Sequence, residues 1–259
     1  MRLLASDYDG TLRLGARVAP DTVAAVQRFQ QSGHRFALVT GRGLNMIEEE
    51  ILANGIRPDL ILSSNGALIS DSSGCWRRQF PIDQATALAL MDYLRQQEIL
   101  GYVACGGRQM SFAAIRPVSA DPRLAERMRR YQAWAVPEEQ LRRQGPIFSL
   151  AVWMDDRQRM KELAFDLERR FALNCFINRG TLDIVAHGVS KKTGVQAAAE
   201  LLGCDRVAVI GDDYNDLPMI TGFHGFAMES GVDEVKQAAS RLFASVEECV
   251  DWLLRQDQA

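Results

Sequence analysis

At the start of the chain, short runs of apolar residues alternate with longer stretches of helical spacing. Residues 3–5, 36–39 and 60–62 are uniformly apolar, which predicts short strands that are buried on both faces. Between these runs, apolar residues recur at helical spacing over residues 23–29 and 44–53. Strands that alternate with helices predict the α/β class, with a Rossmann-like parallel sheet and helices on both of its faces.

The same alternation returns near the end of the chain. Residues 195–202 have helical spacing and are followed by Gly203, a residue that commonly ends helices. The apolar run at 207–210 then predicts another buried strand, and a final helix is expected from about residue 246 to residue 254. The two ends of the chain are therefore expected to build one sheet.

The middle of the chain has a different pattern. Its predicted strands are neighbours joined by short glycine turns, such as Gly106-Gly107 and Asn178-Arg179-Gly180, which predicts antiparallel pairing. We therefore expect two domains. A discontinuous α/β core would comprise residues 1–80 and 188–259, and an inserted α+β domain would comprise residues 81–187.

Composition excludes several classes of protein. The 259 residues carry a formal charge of −3, so the chain offers no electrostatic footprint for nucleic acid or anionic lipid. No apolar run approaches the roughly 18 residues that a membrane span needs. The five cysteines are scattered and form no CxxC pair, which is typical of reduced thiols. These features predict a cytoplasmic protein whose partners are small molecules, and they leave its oligomeric state open.

Carboxylates follow two of the predicted parallel strands. Asp7 and Asp9 come directly after the first strand, and Asp212 follows the strand at 207–210. Ligands of open α/β sheets bind outside the carboxyl ends of the strands, so we expect these side chains to converge there. Two close carboxylates favour a cation, and a hard oxygen-lined site suits Mg²⁺.

Other polar residues in the predicted core suit a phosphate group. Thr40 and Gly41 end another strand and offer a hydroxyl and backbone N–H groups, while Lys191 and Asn215 are the remaining polar candidates. Together with the carboxylates they describe phosphoryl transfer, in which an aspartate attacks phosphorus and a second acid serves the leaving group. Asp7 and Asp9 fit these two roles.

The chain resembles the haloacid dehalogenase superfamily, and within it the Cof-like phosphatases whose cap domain is inserted between the second and third motifs. Four motifs occur in the family's order: Asp7-Tyr8-Asp9-Gly10-Thr11, Thr40 in Val39-Thr40-Gly41-Arg42, Lys191 in Gly188-Val189-Ser190-Lys191, and Gly211-Asp212-Asp213-Tyr214-Asn215-Asp216. The segment Asn65-Gly66-Ala67 is also similar to this subgroup. The resemblance spans nearly the whole chain and is weakest in the middle domain.

The resemblance implies a role for each matching residue. Asp7 would be the nucleophile and a Mg²⁺ ligand, Asp9 the general acid and base that also binds the metal through its backbone carbonyl, and Asp212 the remaining protein ligand. Phosphate would be held by the Tyr8 backbone, Thr40, Gly41, Lys191 and Asn215. Asp216 would support Lys191 or a metal-bound water. Substrate contacts could come from Arg42, Asn65 and Arg179, although Arg179 also fits an ordinary exposed turn.

The expected activity is Mg²⁺-dependent hydrolysis of small phosphomonoesters, such as sugar phosphates, through an aspartyl-phosphate intermediate. A hexose phosphomutase would use the same motifs and a related cap, and stays open as an alternative. A non-catalytic module that binds phosphate or metal is a weaker alternative, because every catalytic position of the family is filled.

Overall fold

The computed structural model describes residues 1–117 and 122–257. Its strands are β1 (Arg2–Asp7), β2 (Arg35–Val39), β3 (Leu60–Ser63), β4 (Leu68–Asp71), β5 (Trp76–Gln79), β6 (Gly101–Gly106), β7 (Gln109–Ala114), β8 (Ser149–Trp153), β9 (Leu173–Ile177), β10 (Leu182–Ala186), β11 (Arg206–Gly211), β12 (Phe226–Met228) and β13 (Arg241–Phe243). Its helices are α1 (Pro20–Gln31), α2 (Leu44–Ala53), α3 (Gln84–Leu94), α4 (Pro122–Trp134), α5 (Glu138–Gln144), α6 (Arg157–Phe171), α7 (Lys191–Leu202), α8 (Leu217–Gly222), α9 (Asp233–Ala238) and α10 (Val246–Gln256).

The described residues form two compact units. The first contains Met1–Arg42, Met46–Gln79 and Val189–Ala259, and the second contains Gly43–Asn45 and Phe80–Gly188. Among the helices of residues 1–117 and 122–257, none combines the length and the apolar character that crossing a bilayer requires.

The sheet of the first unit runs in the order β13-β12-β11-β1-β2-β3-β4-β5 over the described residues. The strands from β13 to β3 pair in parallel, with β1 between β11 and β2. The α/β class and the parallel core are thus confirmed. The edge strands β4 and β5 pair antiparallel, which the sequence analysis did not predict. A single 3₁₀ turn at Ser64–Gly66 separates β3 from β4, too short a connection for a parallel crossover.

Helices cover both faces of this sheet. The inner face of α7 packs with β2 and β3 in one apolar cluster, to which α8 and α9 also contribute. On strand β1, Leu3 and Ala5 belong to this cluster, whereas Leu4 alternates to the opposite face and is equally buried. Helix α1 contacts both β2 and α10. This packing leaves the carboxyl ends of the parallel strands as the place where polar residues gather.

The second unit is an α+β structure. Its sheet runs in the order β7-β6-β8-β10-β9 over the described residues, and every pairing is antiparallel. Apolar residues of α3 and α6 bury one face of the sheet. The turn Asn178-Arg179-Gly180 joins β9 to β10 as the sequence analysis expects.

Candidate active site

Asp7 is the last residue of the central strand β1 and lies at the carboxyl edge of the sheet. Its carboxylate is almost fully buried, and its Oδ1 accepts a hydrogen bond of 2.7 Å from Nζ of Lys191. The same ammonium donates to Oδ1 of Asp216 at 2.6 Å. The lysine therefore bridges two carboxylates that lie 209 positions apart in the sequence, at residues 7 and 216.

Lys191 is positioned by the start of α7. Ser190 caps this helix by accepting from the N–H of Thr193, and the Thr193 hydroxyl accepts from the N–H of Ser190 in return. This capping box satisfies backbone donors that a helix start leaves open. It also fixes the first turn, so that Lys191 points from a defined position into the site.

Asp216 is fully buried and does more than accept from the lysine. Its Oδ2 accepts from the backbone N–H groups of Asp212 and Asp213, at 2.9 and 3.0 Å. Gly211 makes room for it, since a Cβ at that position would overlap the Asp216 carboxyl group. Asp216 thus holds the loop after β11 in shape, and its predicted support of Lys191 or a metal-bound water during the reaction stays a prediction.

Asp212 follows β11 directly and is buried at the same edge. Its Oδ1 accepts from the Thr11 hydroxyl at 2.8 Å, and its backbone carbonyl accepts from the N–H of Val232. Gly10 has a φ of +93°, and a Cβ there would overlap the Asp212 carboxylate. The glycine of the first motif therefore serves both the tight turn and the close approach of Asp212.

The electrostatics of this cluster depend on burial. Burial raises the pKa of the Asp7 carboxyl well above its ordinary value; Lys191 opposes this shift, and the charges of Asp216 and Asp212 add to it. Burial alone would lower the pKa of Lys191, but the carboxylates of Asp216 and Asp7 raise it above its ordinary value. The lysine is therefore held as an ammonium between the two carboxyl groups.

The carboxylates fit a divalent metal ion. One oxygen each from Asp7, Asp212 and Asp216 lies within 4.8 Å of the others. Hard oxygen donors of this kind suit Mg²⁺, and a cation would relieve the repulsion that raises the pKa of Asp7. Because Asp216 already bonds the lysine and two backbone N–H groups, Asp7 and Asp212 are the better candidates for direct ligands.

Thr40 directly follows β2, the strand that neighbours β1. Asp7 stands opposite Val39 in the register of β1 and β2, so Thr40 and then Gly41 follow immediately beyond it. Thr40 is buried, and its hydroxyl oxygen accepts from the N–H of Arg42 at 3.2 Å.

Asn65 supports the site from the 3₁₀ turn after β3. It is fully buried with a φ of +55°, and its Oδ1 accepts from Nδ2 of Asn215 at 2.9 Å. A positive φ is tolerated better by asparagine than by most other side chains. The bond joins the turn after β3 to the loop after β11, so Asn65 acts on Asn215 in this structure. Its predicted contact with substrate stays a prediction.

Asp9 lies at the rim of the cluster and bonds two arginines. Arg42 donates from Nε to Oδ2 at 2.6 Å and from Nη2 to Oδ1 at 2.5 Å, and Arg13 Nη2 donates to the same Oδ1. Burial alone would raise the pKa of Asp9, but the charge and hydrogen bonds of Arg42, followed by those of Arg13, lower it below its ordinary value. Asp9 is therefore a carboxylate in this arrangement.

A glutamate holds the two arginines from the other side. Arg42 Nη1 donates to Glu50 Oε2 at 2.7 Å, and Arg13 Nε lies 3.3 Å from Glu50 Oε1. The Tyr8 hydroxyl donates to Glu50 Oε1 at 2.9 Å. The carbon atoms of both guanidinium groups lie 5.4 Å from the centre of the Tyr8 ring, a cation–π distance.

The structure brings most of the sequence-predicted site residues to one edge of the first unit: Asp7, Tyr8, Asp9, Thr40, Gly41, Arg42, Asn65, Lys191, Asp212, Asn215 and Asp216. Arg179 is an exposed residue of the second unit, in the turn between β9 and β10, so its predicted substrate contact remains a prediction. Sequence reasoning missed Arg13 and Glu50. The only signal for Glu50 was its position on α2, eight residues after Arg42, where a charged residue ordinarily faces solvent.

The fold and the site define an α/β protein with a carboxylate and lysine cluster at the carboxyl ends of its parallel strands. The chain belongs to the haloacid dehalogenase-like hydrolases, whose family model matches residues 4–250. The resemblance that the four motifs suggest is thereby confirmed, and the protein is an enzyme of the hydrolase class.

Several distant relatives match over nearly the full length of the chain. The chain is 23% identical to pyridoxal phosphate phosphatase YbhA of Escherichia coli (strain K12), over 92% of each chain. A haloacid dehalogenase-like hydrolase from B. subtilis has the same fold, with a TM-score of 0.83 at 18% identity, over 97% of this chain and 99% of that one. The subclass IIB sugar phosphatase BT4131 gives a TM-score of 0.79 at 17% identity, over 99% of each chain.

Proposed function

We propose that this enzyme is a Mg²⁺-dependent phosphomonoesterase that acts on small phosphorylated metabolites, such as sugar phosphates, through an aspartyl-phosphate intermediate. The observation that carries the proposal is the buried Asp7 carboxylate, held by Lys191 and flanked by Asp212 at the edge of the sheet. The phosphatase names of relatives such as YbhA and of the structural neighbour BT4131 support the same reaction class.

In the first step, an oxygen of Asp7 attacks phosphorus and the bond from phosphorus to the ester oxygen breaks. Lys191 orients the attacking carboxylate through its bond to Oδ1, and its positive charge stabilises the charge that develops on the phosphoryl oxygens. Thr40 and Gly41 would bind those oxygens through a hydroxyl and backbone N–H groups. Asp9 would give a proton to the departing alcohol oxygen.

In the second step, water attacks the aspartyl phosphate, and Asp9 takes the proton from that water. The lowered pKa of Asp9 suits this step, because it keeps the side chain in the carboxylate form that a base needs. Proton donation in the first step needs the opposite form. The contacts of Asp9 with Arg42 and Arg13 must therefore loosen when substrate binds.

Asp7 and Asp212 would hold the metal with their carboxylates, and Asp9 with its backbone carbonyl. When bound, Mg²⁺ supplies charge neutralisation between an anionic nucleophile and an anionic phosphate. Asp216 stays with Lys191 and the loop after β11, where it keeps both in place.

The second unit would act as the cap that admits a small leaving group. In this proposal the core comprises residues 1–80 and 188–259, and the cap comprises residues 81–187. Arg179, exposed in the turn between two strands of that unit, is the proposed contact for the leaving group.

The direct test is to trap phosphate on Asp7. The wild-type enzyme should hydrolyse p-nitrophenyl phosphate only when Mg²⁺ is present, and rapid acid quench followed by peptide mass spectrometry should find phosphate on Asp7. Asp7→Asn should lose both the adduct and the activity, because an amide oxygen is a poor nucleophile. Asp21→Asn, an exposed aspartate in the first turn of α1, is the matched control and should retain both.

Three outcomes would contradict the proposal. Activity of Asp7→Asn equal to that of the control would remove Asp7 as the nucleophile, and activity that survives complete chelation would remove the metal. If a hexose phosphate is isomerised without release of inorganic phosphate, the enzyme is a phosphomutase.

A further inference from the structure

We propose that Glu50 is a positioning residue for Asp9, acting through Arg42 and Arg13; this inference rests on the proposed function, in which Asp9 serves the leaving group. Glu50 lies on α2, and its side-chain bonds described above reach Arg42, Arg13 and the hydroxyl of Tyr8, whose proposed phosphate contact comes from its backbone instead. Its effect on the reaction would pass entirely through its neighbours.

Arg42 connects Glu50 to Asp9. Its guanidinium binds both oxygens of Asp9 side-on, from Nε and Nη2, and uses Nη1 for Glu50. A planar guanidinium engaged by two carboxylates on different edges has one orientation available. Until substrate loosens these contacts, the plane of the Asp9 carboxylate is therefore set by an arginine that Glu50 itself holds.

Arg13 connects the same two carboxylates. It donates to Asp9 Oδ1 and lies 3.3 Å from Glu50 Oε1, so each arginine spans from Asp9 to Glu50. Two guanidinium groups and two carboxylates balance in charge. Removing the charge of Glu50 would leave both arginines with Asp9 as their remaining carboxylate in this cluster, and would tighten their hold on it.

Tyr8 fixes the position of the Glu50 carboxylate. The Tyr8 ring is fully buried beneath both guanidinium groups, and its hydroxyl donates to Glu50. Asn54 Nδ2 lies 3.5 Å from the same hydroxyl. Because the Tyr8 ring is buried, its hydroxyl holds Glu50 in one position, which a solvent-exposed lysine or glutamate side chain would not do.

The functional consequence depends on the leaving group. A proton donor matters for an alkyl phosphate, whose alcohol is a poor leaving group, and much less for p-nitrophenyl phosphate, whose phenolate leaves without a proton. A residue that positions Asp9 should therefore affect kcat/KM of the first substrate far more than that of the second. A residue that only stabilises the fold should affect both equally.

The experiment compares Glu50→Gln with Glu49→Gln, an exposed neighbour on the same helix that undergoes the same chemical change. Glu50→Gln should lower kcat/KM for a sugar phosphate by about tenfold or more, a part of the roughly 10²- to 10⁴-fold that positioned proton transfer contributes. With p-nitrophenyl phosphate it should stay close to wild type. Glu49→Gln should match wild type with both substrates.

A double-mutant cycle isolates the route of the effect. In an Asp9→Asn background, Glu50→Gln should add nothing further, because a residue that acts through Asp9 has nothing left to position. Tyr8→Phe, which keeps the ring and removes the hydroxyl, should reproduce the effect of Glu50→Gln in weaker form.

The inference and the proposed function fail differently. Suppose that Asp9→Asn slows the sugar phosphate reaction. Glu50 is then not a positioning residue if Glu50→Gln matches Glu49→Gln, or if Glu50→Gln slows the reactions of both substrates equally. If Asp9→Asn itself leaves the sugar phosphate reaction unchanged, the proposed role of Asp9 is wrong before Glu50 is considered.

Discussion

Lys191 shows how strongly a single side chain can be constrained by its surroundings. Its ammonium is 1% exposed and bonds the carboxylates of Asp7 and Asp216, whereas the adjacent Lys192 is exposed. An unpaired charge buried to this degree is costly, so each of the three groups depends on the others. Stability therefore depends on the same residue that is proposed to bind phosphate.

We expect Lys191→Met to destabilise the enzyme, because it leaves two buried carboxylates without their cation. The free energy of unfolding should fall by about 3 kcal/mol or more, the usual result of breaking a buried ion pair from one side. Urea unfolding followed by circular dichroism measures this change. Lys192→Met is the control and should unfold near the wild-type urea concentration; equal midpoints for the two variants would contradict the interdependence.

Sequence reasoning at the residue scale reached those groups that follow a strand. Asp7, Thr40 and Asp212 could be placed together because the ends of parallel strands share one edge of the sheet. It did not reach Arg13 or Glu50. Their positions depend on how the chain turns after β1 and on which face of α2 meets that turn, and neither follows from spacing alone.

Among the structural elements, α7 matters most for the candidate site because its first turn positions Lys191 there. The start of this helix lies against the 3₁₀ turn at Ser64–Gly66. Gly194 and Gly66 meet at this contact, where a Cβ on Gly194 would lie 2.8 Å from the Gly66 Cα. Two glycines let the backbones approach, and the approach sets the depth of the lysine.

We expect Gly194→Ala to destabilise the enzyme even though alanine favours helices by about 1 kcal/mol over glycine. The added methyl group must push α7 away from the turn, and overpacking of this kind costs about 1–3 kcal/mol. Activity should fall as well, because the displacement carries Lys191 with it.

Gly15→Ala is the control for this prediction. A Cβ there meets no atom within 4 Å, so thermal stability and turnover should stay near wild type. If Gly194→Ala is as stable as this control, the close approach of α7 to the turn is not needed.

The sequence predicted most of the helices and strands but not this contact. Helical spacing located α7 and α10, and apolar runs located β1, β2, β3 and β11. The antiparallel edge strands β4 and β5 were missed, because β5 reads Trp-Arg-Arg-Gln and lacks an apolar run. Contacts such as the one between Gly66 and Gly194 depend on tertiary packing, which neither propensity nor periodicity encodes.

At the scale of the whole molecule, the first unit contains two clusters of charged residues that differ in their balance of acidic and basic groups. Asp9 and Glu50 are matched by Arg13 and Arg42. Asp7, Asp212 and Asp216 gather around the single ammonium of Lys191, so ionisation of all three carboxyl groups would leave two uncompensated negative charges in the buried cluster. That excess would match one divalent cation, so the proposed metal should contribute to stability as well as to catalysis.

Magnesium should therefore raise the melting temperature of the substrate-free enzyme. A ligand that binds only the folded state stabilises by mass action, by about 2.7 kcal/mol at a hundred times its Kd. Thermal unfolding in excess Mg²⁺ and in excess chelator measures the shift. Asp212→Asn should lose most of it, because it removes one of the two proposed carboxylate ligands, whereas Asp21→Asn should keep all of it. An equal shift in both variants would place the stabilising ion elsewhere on the protein, and the buried cluster would then owe its stability to Lys191 alone.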